Sequence, residues 1–234
     1  MTLLSTVQEA AEATGFESPS AVAGATDDNA KRFFRLANFE AQSLLRRHNW
    51  AVLLKQGTIT GDGSANYALP SDYHRAVPAS FWTSSSSWKI GGSVTSQRWQ
   101  SLQNGWAVST TLSRQLMMRA TAGSKQIYFE PALSTGETVV YDYISNAMFD
   151  DGLGTQYAAW SDDTYSCLID ESLIVLGLVY RVLQSTGRDP SYAYAEYIET
   201  RNQLIGQDAP AERLSLGTNE FILPAVTPDT IPVP

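Results

Sequence analysis

The period of the apolar positions changes three times along the chain, and those changes divide it into parts. Leu4, Val7, Ala10 and Ala11 form one side of a short helix predicted over residues 5–14. Ser5 and Gln8 stand at capping-box spacing, and Gly15 ends the pattern. Phe16 to Gly24 is rich in Ser, Ala, Pro and Gly and reads as a loop. From about Asp27 to His48, Phe33, Phe34, Ala37, Ala41, Leu44 and Leu45 recur at helical spacing. Asp27 and Asp28 at one end and Arg46, Arg47 and His48 at the other match the polarity of the helix dipole.

From Trp50 to about Tyr143 the runs shorten and alternate between turn residues such as Gly61-Asp62-Gly63 and Gly91-Gly92. Strands are predicted over Ala51–Thr60, Ala79–Thr83, Ser86–Ile90, Gln115–Ala120, Gln126–Phe129 and Thr138–Ile144. Phe149 to Thr164 reads as a Gly- and Asp-rich loop, and a helix is predicted from about Asp163 to Ser185. That helix is apolar on nearly every side, so it has to be covered on nearly every side. Gly187 is placed as its C-cap, and Asp189-Pro190 opens a last helix running to about Ile205.

Beyond Gln207 the five prolines Pro210, Pro224, Pro228, Pro232 and Pro234 exclude a helix or central strand. Phe221, Ile222, Leu223, Val226 and Ile231 are too apolar for an inert tail, so this stretch reads as an extended arm. It docks either on another chain or on its own body. The predicted fold is therefore α+β. A bundle of about four helices (1–49 and 149–206) carries an inserted antiparallel β domain (50–148) and an extended Pro-rich docking arm (207–234).

Composition narrows the function classes. Hydrophobic residues at 43% and charged residues at 17% describe a folding chain rather than a disordered one. The apolar run Leu173–Tyr180 is too short to span a bilayer, so no membrane partner is expected. The N-terminus lacks the basic region and unbroken apolar run of a secretory leader. A single cysteine, Cys167, rules out an intramolecular disulfide and fits synthesis in a reducing interior. The net charge is -8, and the basic cluster that stands out is Arg46-Arg47-His48, so a nucleic-acid grip is disfavoured. An acidic wall past which DNA slides stays compatible with that charge.

Candidate chemistry is sparse. Neither His48 nor His74 lies in a local catalytic pattern, and Cys167 before an apolar helix reads as a structural thiol. Asp150, Asp151, Asp162 and Asp163 lack calcium-loop spacing and fit turns and caps. No catalytic, cofactor or metal site is expected. Trp82, Trp88, Trp99 and Trp106 cluster in the β segment, either as core or as an exposed face for protein or sugar.

Taken in order, three motifs resemble the head-to-tail adaptor family of tailed phages, including the tail tubular protein A group. The first is the short helix and loop followed by Asp28-Asn29-Ala30-Lys31-Arg32, with Leu44-Leu45-Arg46-Arg47 leading into His48-Asn49-Trp50. The second is Tyr67-Ala68-Leu69-Pro70-Ser71-Asp72, similar to the family's Tyr-x-Leu-Pro-x-Asp turn. The third is Tyr141-Asp142-Tyr143-Ile144-Ser145, Asp162-Asp163, the apolar helix and Gly187. Glu17-Ser18-Pro19 departs from the tail tubular pattern, which leaves the subfamily open. The resemblance implies a non-enzymatic structural subunit of the virion neck, built as a dodecameric ring below the portal protein. It also implies a terminus docked on the portal, a β domain facing the next tail or nozzle protein, and DNA passing through without specific binding.

Overall fold

The first helix, α1 (Leu3–Thr14), begins earlier than the Ser5–Gln8 spacing predicts, because Thr2 is its cap. Thr2 Oγ1 accepts the Ser5 N–H at 3.4 Å while Ser5 Oγ accepts the Thr2 N–H at 2.9 Å, which satisfies two otherwise free donors. Gly15, at φ 72°, turns the chain out of the helix, and the Phe16 N–H closes on the Ala11 carbonyl at 2.9 Å. In α2 (Asp28–Arg47) the Asp27 carboxylate takes the Ala30 N–H at 2.9 Å, and of the predicted apolar positions Phe33, Ala37, Ala41, Leu44 and Leu45 are buried and Phe34 half-buried. The computed structural model describes residues 1–84, 88–104, 114–121 and 124–208.

After a short 3-10 turn at Ala51–Leu53 come β1 (Leu54–Thr60), β2 (Asn66–Ala68), β3 (Tyr73–Ala76), β4 (Trp82–Thr83) and β5 (Trp88–Lys89). A helix, α3 (Ser96–Asn104), then interrupts the β region where the sequence suggested none. It is polar but for two buried residues, Trp99 and Leu102, too few to show a period. β6 (Gln115–Thr121), β7 (Ser124–Glu130) and β8 (Thr138–Ser145) follow. β8 is the organising strand. It pairs antiparallel with β1 from Leu54↔Ile144 to Thr60↔Thr138, while β3 and β4 share its other edge. β4 in turn pairs β5, and a second antiparallel sheet has the order β2-β7-β6.

The loop predicted over 149–164 holds β9 (Phe149–Asp150) and β10 (Gln156–Tyr157), which join β11 (Ser166–Cys167) in a small third sheet. The apolar helix α4 therefore spans Glu171–Ser185 and does not start at Asp163. Two carboxylates explain the later start. Asp163 accepts the Val22 and Ala23 N–H groups, the latter at 2.7 Å, and Asp170 caps α4 through the Ser172 N–H at 2.9 Å. Gly187, at φ 73°, ends the turn after α4, and α5 (Ser191–Asp208) opens on Asp189 and runs three residues beyond the predicted Ile205.

Two apolar clusters result. The first gathers α1, α2, α4 and α5, with α4 packed against each of the other three, together with Trp50, Met148, Phe149 and Trp160. The second lies within the sheets, around Ile59, Phe81, Leu116, Ile127, Phe129, Val139 and Tyr141. β8 belongs to both, giving Ile144 to the first and Val139, Tyr141 and Tyr143 to the second. Tyr141 stacks on Phe81 with ring centroids 5.0 Å apart and crosses β1 at Gly57, where a Cβ would lie 2.4 Å from the ring.

Candidate functional site

Three polar arrangements stand out against these apolar cores. Arg75, on β3, reaches the end of α2. Its Nε donates to Asn49 Oδ1 at 2.8 Å, and its two terminal nitrogens donate to the carbonyls of Leu45 (2.9 Å) and His48 (2.6 Å). A cation on the carbonyl end of a helix satisfies orphan acceptors and complements the dipole. From the other direction, Asp208 at the end of α5 accepts the Ala51 N–H at 3.0 Å and lies 2.8 Å from His48 Nε2. The passage from α2 into β1 is thus held from both sides.

The second arrangement is built on the Tyr-x-Leu-Pro-x-Asp turn. Asp72 accepts from Lys55 Nζ (2.8 Å), Ser145 Oγ (2.9 Å) and Tyr143 OH (3.0 Å). Burial works against its charge, but the hydrogen bonds from Lys55, Ser145 and Tyr143 prevail and hold the carboxyl below its ordinary value. The same bond, with burial the larger cause, pushes the Tyr143 phenol up to about 12. His74 is pushed down by burial and then by the nearby charges of Arg75, Lys125 and Arg46.

The third arrangement joins three helices through one buried carboxylate. Glu40 is fully buried in α2, where it accepts from Arg181 Nε of α4 and from the Tyr197 hydroxyl of α5. Gly177 makes room for it, since a Cβ there would meet Glu40 Cγ at 2.6 Å. Burial and the hydrogen bond to Glu40 both raise the Tyr197 phenol. The only signal in the sequence is a charged residue in register with Ala37, Ala41 and Leu44, opposite a mid-helix glycine.

The residues singled out from the sequence are scattered. Trp82 is 41% exposed on β4, and Trp88 pairs with Thr83 across the short β4–β5 hairpin. Trp99 is 1% exposed on α3, edge-on to Tyr128, so its ring belongs to the interior. Trp106 and the arm residues Phe221, Ile222, Leu223, Val226 and Ile231 lie outside the described residues. Burial pushes the Cys167 thiol up to about 12, so it is held as the thiol rather than the nucleophilic thiolate. Asp150, Asp151, Asp162 and Asp163 each accept backbone N–H groups, and among the described residues no set of three or more His, Cys, Asp or Glu is placed to hold a metal ion.

Polar side chains thus brace the helices against one another and against the sheets. A family model, that of the SU10 adaptor protein, matches residues 1–219. The chain belongs to the SU10 adaptor protein family. Members are phage head-to-tail adaptors, structural components of the virion. The match runs through both cores of this adaptor, so helices and sheets alike fall within it. A search of the curated proteins finds no match to the chain. Among the described residues of the adaptor, no helix is long and apolar enough to cross a membrane.

Proposed function

We propose that this chain is a non-enzymatic subunit of the virion neck, made in the host cytoplasm and assembled as a dodecameric ring between the portal protein and the next tail or nozzle protein. The observation that carries this reading is the family match over 1–219, which spans the helical base, the inserted sheets and the junction braced by Arg75 and Asp208. In this reading residues 1–49 and 149–208, to the end of α5, form the base, 50–148 the inserted β domain, and 209–234 the arm that docks on the portal or a neighbour. The net charge of -8 suits a bore through which DNA slides without sticking.

The exposed Trp82 hairpin supports a contact with the next tail component. It also keeps open a second reading, in which the sheet binds a carbohydrate or receptor. Mass measurement separates the two readings. Full-length protein mixed with the purified portal oligomer is expected to form a complex with one adaptor per portal subunit. Sugar binding without portal affinity would overturn the adaptor reading in favour of the second.

A further inference from the structure

The outer face of α2 carries charge of the opposite sign to the chain as a whole. Arg32, Phe39 and Arg46 recur every seven residues with Arg35 between them, so they share one face of the helix, and all four are exposed. Lys31 and Arg47 flank that row. Phe39, 58% exposed, sits at its centre, with the Arg181 guanidinium 4.6 Å from the ring centroid. Beside it a groove of about 590 Å³ is lined by Asp28, Lys31, Arg32, Arg35, Leu36 and Ser185. An exposed aromatic ring with one guanidinium against it, on a face rich in arginine, has the composition of a protein-binding hot spot.

The chain holds a complementary feature elsewhere. The segment from Phe149 to Glu171 contains Asp150, Asp151, Asp162, Asp163, Asp170 and Glu171 and no Lys or Arg. At the β9–β10 turn, between Asp151 and Thr155, Leu153 stands 91% exposed. Within one chain the two features do not meet. Gln42 Nε2 bonds the Ala158 carbonyl at 3.0 Å and the Trp160 N–H bonds Asn38 Oδ1 at 2.9 Å, which fixes this segment along the flank of α2 while Phe39 and Leu153 both stay exposed. A row of guanidinium groups lining a DNA bore would also grip phosphate rather than let it slide.

We propose that the basic α2 face around Phe39 receives the acidic β9–β10 turn, with Leu153 at its tip, from a second copy of this chain. Two different patches meeting head to tail is the contact type that closes into rings, so the inference rests on the ring-forming reading and assigns its two faces.

The test uses full-length protein, free and on the portal oligomer. Phe39→Glu, at an exposed helical site, and Leu153→Ser, at an exposed turn, should each weaken self-association by roughly tenfold or more. Each variant keeps one intact face. An equimolar mixture should therefore form a 1:1 heterodimer and stop there, as read by analytical ultracentrifugation. Arg35→Glu, at a second exposed position on the same face, should repeat the loss. Wild-type protein that stays monomeric both free and on the portal, a Phe39→Glu variant that associates like wild type, or a mixture that does not pair would each overturn the proposal. Capture of mixed-sequence duplex DNA by wild type, lost in Arg35→Glu, would overturn it in favour of a nucleic-acid face. Portal capture is scored separately. Its loss in wild type defeats the adaptor reading, whereas single Phe39→Glu copies bound to the portal show that only the ring contact has gone.

Discussion

Glu40 sits where the register of α2 asks for an apolar side chain, and its partners come from two other helices. A buried ion pair adds little over a well-packed apolar trio, but removing one member strands the other in a poorly solvated site. Glu40→Ala should therefore cost about 3–5 kcal/mol, read as a lower denaturant midpoint, because it leaves the Arg181 side chain, 13% exposed, without its carboxylate. Gly177→Ala should destabilise in the same direction by pressing on Glu40.

Asp72 makes a pH-dependent contribution of defined sign. Its folded-state pKa is lowered from the ordinary 3.8, so its stabilisation is complete above that value and lost as pH falls through the lowered one. The difference in unfolding midpoint between wild type and Asp72→Asn should be present at neutral pH and shrink below about pH 4. A difference that stays constant into acid would show that the Asp72 charge is not what braces the turn.

At the scale of elements, the parts with a strong period were legible and those set by single polar residues were not. α2 and the β6–β7 and β8 strands follow directly from the spacing of Phe33, Leu44, Ile127 and Val139. The start of α4 lies beyond the expected Asp163 because Leu168 and Ile169 continue its apolar run, while the chain bends there after β11 and the Leu168 N–H bonds the Met148 carbonyl at 2.9 Å. A short apolar run does not distinguish strand from helix. α3 was missed for want of apolar residues, and the Glu40 cluster because no local pattern reports which helices will meet.

Two predictions belong at this scale. Deleting residues 218–234 should leave thermal unfolding unchanged and weaken assembly; unchanged ring formation would count against an exchanged arm. Cys167→Ala removes a small buried group and should cost roughly 1–2 kcal/mol without affecting assembly. Lost infectivity with normal particle assembly would reopen a catalytic role.

For the whole molecule, the parts combine into a body braced at one junction. Arg75 and Asp208 tie β3 and α5 to the end of α2 and to the turn that leads into β1. Arg75→Ala, which frees the carbonyls at the end of α2, should therefore lower stability and impair assembly together. The family match covers both sides of that junction. The most direct test is a cryo-EM reconstruction of the neck in the particle that encodes this chain. Twelve copies are expected in one ring on the tail side of the portal, bases toward the portal and sheets toward the tail. Density for the chain on fibres or elsewhere in the particle, or its absence from the neck, would contradict that placement.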